Sequence, residues 1–153
     1  MIPKPTKKLK APKTPFKRTQ LNKASKLPIA RLKKQADAVF SVWVRMRGQQ
    51  GGMNWCYTCG KMGLIKFLQN GHFIARHHSA TRFDEMNCQV QCVGCNVFGR
   101  GQASKFAEHL IKDYGNEKFN ELLAKGNSIF KATPSFYEEI IKKYETPKTL
   151  QNL

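Results

Sequence analysis

Cys56-Tyr57-Thr58-Cys59, then Gly71-His72, then Asn87, then Gln91-Cys92-Val93-Gly94-Cys95-Asn96: this stretch decides how the chain reads. Two Cys-x-x-Cys pairs, separated by 32 residues, have the spacing of a tetrahedral all-cysteine zinc site. Four unrelated buried cysteines would not fall into two such pairs. Four thiolates close the coordination sphere, so this zinc is structural and cannot itself activate water. Any chemistry requires a second, open metal site. The fifth cysteine, Cys88, is left over.

Around the knuckles stand residues with chemical capacity. His72 follows Asn70-Gly71 in a stretch poor in charge, and a neutral imidazole can take a proton from water near physiological pH. Asn96 directly follows the second knuckle, where a helix is expected to begin. Its amide oxygen is a hard ligand suited to Mg²⁺ or Mn²⁺. Asn87 can hold the backbone of the opposing loop and so orient His72. For both asparagines a cap or turn role is the alternative.

The flanks carry the charge. The chain has 27 basic and 10 acidic residues in 153, a net charge of +17. Residues 1–83 hold 18 basic residues and a single acid, Asp37; residues 84–153 hold nine of each and are neutral. Such an excess points to a polyanionic partner, because lysine and arginine displace counterions condensed on a phosphate backbone. Residues 1–28, rich in Lys and Pro and without an acid, read as a disordered basic arm. Its Lys7, Lys8, Lys10, Lys17 and Arg18 are candidate phosphate contacts, against the alternative of a solubility tail. Unpaired thiols at metal spacing favour a reducing cytosol. No apolar run approaches the roughly 20 residues of a membrane span, and the basic N-terminus lacks the apolar core of a secretory signal.

Periodicity supplies the scaffold. Leu32, Ala36, Val39, Phe40, Trp43 and Met46 recur at helical steps over 29–47, which Gly48 and Gly51-Gly52 end. This amphipathic helix is expected to pack on the zinc module. Ile65–Leu68 reads as a strand, Asn70-Gly71 as a hairpin turn, and His72–Ala75 as the returning strand. A helix should start near Cys95. Phe106, Leu110, Ile111 and Tyr114 form a helical face ended by Gly115, and Asn116 can cap a second helix with Phe119, Leu122 and Leu123. Ser135 and Glu138 read as the capping box of a last helix with Phe136, Ile140, Ile141 and Tyr144 on its stripe. These apolar positions are core. Residues 146–153 read as a flexible tail.

The pattern Cys-x-x-Cys, Gly-His, Asn, Cys-x-x-Cys-Asn resembles the HNH or ββα-metal endonuclease superfamily. Gly71-His72-Phe73-Ile74-Ala75-Arg76, Thr81-Arg82-Phe83-Asp84-Glu85-Met86-Asn87 and Gln91-Cys92-Val93-Gly94-Cys95-Asn96 more specifically resemble the phage NinG family, also called Rap, recombination endonucleases that cut branched DNA. The resemblance covers roughly residues 30–145. It implies one-metal phosphodiester hydrolysis: His72 activates water, Asn87 takes the middle position of the motif, and Asn96 helps hold Mg²⁺ or Mn²⁺. Arg76 or Arg82 would neutralise the neighbouring phosphate. Many members of the wider superfamily carry Asp directly before the histidine, where this chain has Gly71. No carboxylate occurs between Asp37 and Asp84. A carboxylate ligand close in sequence must therefore be Asp84 or Glu85, whose alternative is a cap or an arginine partner.

The expected architecture is thus α+β: a small zinc-stabilised ββα-metal core over 29–145, flanked by helices, with a basic arm at 1–28 and a tail at 146–153. The expected function is metal-dependent cleavage of branched recombination intermediates (four-way Holliday junctions and D-loops), in the host cytoplasm if phage-encoded. Two active sites facing two strands would suit a homodimer. A general nicking or homing-type HNH endonuclease needs the same site. A non-catalytic zinc module that only binds DNA would need neither His72 nor Asn96.

Overall fold

Helix α1, Ile29–Met46, turns Leu32, Ala36, Phe40 and Val44 into one buried stripe, each four residues after the last. In this computed structural model, which describes residues 27–145, that stripe organises the larger core. The arm residues 1–26, with Lys7, Lys8, Lys10, Lys17 and Arg18, and the tail 146–153 lie outside the described residues. Pro28 caps α1, its carbonyl accepting from Arg31 and Leu32, so the helix boundary expected at 29 stands.

After α1 come two short antiparallel pairs. Strands β1 (Met53–Trp55) and β2 (Met62–Leu64) form a hairpin that carries the first knuckle at its tip. A 3₁₀ turn at Ile65–Phe67 leads into β3 (Leu68–His72), which pairs antiparallel with β4 (Cys88–Cys92). A π-helical turn, Gly94–Phe98, and a 3₁₀ turn, Arg100–Gln102, follow. Helix α2 (Ala103–Gly126) and helix α3 (Pro134–Tyr144) complete the chain. The architecture is mixed α+β with small sheets.

Five expectations change. Asn70-Gly71 is not a turn: both residues lie inside β3, opposite Val90 and Gln89. The returning strand is β4 rather than His72–Ala75, and residues 73–87 form a long excursion between the two strands. Pairing with β4 places Leu68, Cys88 and Val90 on one face, buried against α1, a gain that a tight turn at Asn70 would forgo. Ile65–Phe67 is 3₁₀ rather than strand. The last helix is capped by Thr133, whose Oγ1 accepts from the Phe136 amide at 3.3 Å, with Pro134 as the first helical residue. Ser135 is inside that helix. Finally, α1 packs first against α3, through Tyr137, Tyr144, Ile140 and Ile141, and also against β3 and β4 rather than mainly on the knuckles.

Gly115 breaks α2 as its position suggests. Its φ of +84° and ψ of 162° are non-helical and are adopted readily by glycine alone. The two halves of α2 contribute Phe106 and Leu110 on one side and Leu122 on the other to a second core. That core covers Tyr57 of the first knuckle and Phe73, Ile74 and Met86 of the 73–87 excursion.

Candidate active site and metal centre

The four knuckle cysteines converge. The Sγ atoms of Cys56, Cys59, Cys92 and Cys95 all lie within 4.8 Å of one another, and Cys59 to Cys92 is 3.9 Å. Tetrahedral thiolates at a Zn–S distance of about 2.3 Å sit about 3.8 Å apart, so this group has the dimensions to hold a zinc ion. Local backbone produces the convergence. The Cys56 amide donates to the Lys61 carbonyl and the Gly60 amide to the Cys56 carbonyl, closing the first knuckle. The Tyr57 amide donates to Val90 at 2.7 Å and ties that knuckle to β4, at whose end Cys92 stands. The Thr58 hydroxyl is 3.4 Å from Cys56 Sγ and is itself held by Gln91. Cys88 is outside the cluster: it is fully buried beside the Arg82 carbonyl, and burial pushes its thiol far above the ordinary value. It is an inert core thiol.

His72 ends β3. Asp37, Phe40, Ser41, Asn70, Arg76 and Arg82 line a small cleft with it, about 60 Å³ in volume. Its Nε2 lies 3.1 Å from the Arg82 carbonyl oxygen. A carbonyl only accepts, so Nε2 carries the proton and the free lone pair falls on Nδ1. Burial lowers the imidazole's pKa, opposed by the carbonyls of Arg82 and Asn70 and assisted by the charges of Arg76 and Arg82. The ring is therefore neutral at pH 7, the state a general base requires.

Asn87 has the orienting geometry. It is completely buried; its Oδ1 accepts from the Ile74 amide at 2.7 Å, and its Nδ2 donates to the carbonyls of Ile74 and Thr81 at 3.0 and 2.9 Å. The side chain thus clamps both limbs of the 73–87 excursion, one of which carries the Arg82 carbonyl that orients His72. Asn87 is beyond direct chemistry, because all its polar atoms are engaged.

Asn96 sits in the π-helical turn, its Nδ2 donating to Gln69 Oε1 at 2.7 Å. Gln69 alternates with Asn70 along β3, so Asn96 lies on the opposite face of the strand pair from His72. The two residues are not in one cleft. The other candidates are also redistributed. Arg82 is 6 % exposed, forms a two-pronged ion pair with Asp37, and donates to the Arg76 carbonyl, so it is occupied internally rather than offered to a phosphate. Arg76 remains exposed at the cleft. Asp84 Oδ1 caps the amides of Met86 and Asn87, and its Oδ2 pairs with Lys125. Glu85 is bonded by the Tyr144 hydroxyl and paired with Lys143, which together hold its carboxyl below the ordinary range. Neither acid lines the His72 cleft. The carboxylate that does is Asp37, missed as a site residue although it is the one acid in the first 83 residues. That isolation was the available signal.

Among the described residues no helix is long and apolar enough to cross a membrane. Fold and cluster together define a small α+β protein built around a four-cysteine centre able to hold zinc. The family model described as Bacteriophage Lambda NinG protein matches residues 4–152, almost the entire chain, and the chain belongs to that family. The family is connected with phage recombination. No curated protein and no solved structure matches the chain.

Proposed function

We propose that this protein is a metal-dependent endonuclease of the HNH, or ββα-metal, type acting on branched DNA recombination intermediates. The observation that carries the reading is His72: a half-buried imidazole at a strand end, its pKa lowered by desolvation and its Nε2 donating to a backbone carbonyl, which leaves the lone pair on Nδ1. It belongs to a zinc-knuckle protein of a phage recombination family with a strongly basic chain. A module that only binds DNA has no need of a half-buried base oriented through a clamp such as Asn87.

In this mechanism His72 Nδ1 takes a proton from the attacking water while Nε2 stays bonded to the Arg82 carbonyl, which stabilises the imidazolium that forms. Asn87 keeps that carbonyl in place by fixing the Thr81 and Ile74 backbone. Asp37 holds Arg82 and so the same segment. Arg76 is free to contact phosphate. A bound divalent ion would supply polarisation of the phosphate and charge stabilisation on the leaving oxygen; Asn96, on the opposite face of the strand pair, does not line the His72 cleft, whose own oxygen donors are Asp37, Ser41 and Asn70. The basic arm gives affinity without sequence preference.

The test is cleavage of matched four-way, forked, linear-duplex and single-stranded DNA with Mg²⁺. The expected result is preferential cutting of branched forms by the native protein and a loss of about 10²–10⁴ in rate for His72→Ala, with DNA affinity retained. Full activity of His72→Ala would sink the mechanism. Equal cutting of all duplex forms would favour a general nicking enzyme instead.

A further inference from the structure

The β1–β2 hairpin inverts the usual alternation of a surface strand pair, in which apolar side chains point in and polar ones out. Asn54 and Gly63, paired across the ladder, face inward. Asn54 is buried and donates to the carbonyls of Arg45 and Arg47, each at 2.9 Å, and a Cβ at Gly63 would meet Leu68 at 3.5 Å. The outward face carries the cross-strand pairs Met53–Leu64 and Trp55–Met62. Trp55, Met62 and Leu64 are 40, 51 and 42 % exposed. Single exposed apolar residues need no explanation, but a contiguous group on one face does. Phe67, in the turn that follows, is 66 % exposed, with Lys66 Nζ 5.3 Å from its ring centroid. Residues 48–68 contain Lys61 and Lys66, both exposed, and no acid.

We propose that this hairpin face binds the unpaired bases of single-stranded DNA at a branch, Trp55 and Phe67 stacking on bases while Lys61 and Lys66 meet the adjoining phosphates. The proposal rests on the nuclease reading for the branched substrate and adds the surface that tells a branch from a plain duplex. Paired bases inside a duplex offer no free ring face; unpaired ones do, and aromatic side chains interleaved with cations suit them. Charge selects the occupant. A second copy would bring two more lysines and no acid from this segment to the same contact, a like-charge arrangement that opposes association. A polyanion with bare ring faces satisfies both the lysines and the apolar side chains. Position agrees with this. Strand β3 runs from Leu68, next to Phe67, to His72, about 13 Å of strand, or roughly four stacked nucleotides. The first knuckle at the hairpin tip gives the platform a rigid base when zinc is bound.

The test uses the zinc-loaded full chain with a labelled oligothymidylate of about 12 nucleotides and a duplex of the same length, binding being read by fluorescence anisotropy over a salt series. Trp55→Ala should weaken single-strand binding about tenfold, leave duplex binding unchanged, and leave both salt slopes unchanged, because stacking releases no counterions. Trp55→Phe, which keeps a ring, should restore most of the affinity. Ile129→Ala, which trims a fully exposed apolar residue between α2 and α3, should change nothing. In Trp43→Phe, where Trp55 is the sole tryptophan, the oligothymidylate should quench the emission saturably. Zinc content and melting temperature are recorded for each variant; if a Trp55 variant fails to load zinc the quenching decides, and if Trp43→Phe fails the anisotropy decides. The proposal is overturned by unchanged single-strand affinity in Trp55→Ala, by an equal loss on the duplex, or by a bound oligothymidylate that leaves Trp55 emission unaltered. It is also overturned by a native dimer in sedimentation that Trp55→Ala dissolves, which would assign the face to a second copy. None of these readouts uses cleavage, so an active His72→Ala protein would defeat the nuclease reading while the stacking result stands. Unchanged binding by Trp55→Ala beside an inactive His72→Ala would defeat the platform alone.

Discussion

His72 shows how burial sets a protonation state. Desolvation lowers its pKa from the ordinary value near 6.5 more than the neighbouring carbonyls raise it. A base with a depressed folded pKa is neutral in the fold, so its contribution to stability is present above the unfolded value and is lost as pH falls through the folded value. The rate of cleavage should likewise fall on the acid side with a midpoint below about 6.5, read from a pH profile at saturating Mg²⁺. A midpoint above that value would contradict the burial argument. Asn87 presents a different case. Replacing it by Ala removes three hydrogen bonds and strands buried backbone groups at Ile74 and Thr81. The expected loss is about 3 kcal/mol of stability by denaturant unfolding, together with slower cleavage, because the loop that aims His72 loosens. Cys88→Ser, by contrast, should leave zinc content unchanged, while Cys56→Ser should lower it; metal analysis of the purified variants distinguishes them.

At the scale of elements, the ion pair between α1 and the 73–87 excursion decides the shape of the cleft. Arg82 joins Asp37 through both guanidinium and carboxylate branches, with side chains 7 % and 23 % exposed. Breaking a largely buried pair from one side leaves an uncompensated charge. Arg82→Met should therefore destabilise the protein by about 2–3 kcal/mol and reduce cleavage. Restoring a neutral partner with Asp37→Asn in the same chain should recover much of the stability but not the rate. A double-variant cycle measured by urea unfolding checks this. The helices were legible because their signal is local: the three- and four-residue spacing of Leu32, Ala36 and Phe40 exists without a partner. The strand pairing was not. Asn70-Gly71 has the composition of a turn, and only the approach of Gln91 to Gly71 and the burial of Cys88 and Val90 under α1 make it strand instead.

Over the whole molecule, the four-cysteine centre, able to hold zinc, joins parts far apart in sequence: a hairpin tip at 56–59 and the end of β4 with its following turn at 92–95. Metal affinity is then folding free energy, and a chelator should unfold the domain cooperatively, as seen by circular dichroism. Retention of the native spectrum without zinc would show that the apolar cores suffice alone. The basic arm should govern salt dependence. Residues 1–26 hold nine basic residues and no acid. Cutting after Lys26 spares Pro28, whose carbonyl holds the first turn of α1. If about half of these residues meet phosphates, the slope of log affinity against log salt falls by roughly 4 on B-DNA. An unchanged slope would reduce the arm to a solubility tail. By itself the sequence determined which four cysteines converge and where the helices lie, and it singled out His72 and Asn87 as candidates, because thiolate spacing, apolar period and residue chemistry are written locally. Only the tertiary structure decided that Asp37 shares the cleft of His72, that Arg82, Asp84 and Glu85 are committed elsewhere, and that Asn96 lies across the ladder beside Gln69. Those outcomes depend on which surfaces α1, α3 and β4 bring together, and competition for a few partners across long sequence separations leaves no local pattern to read.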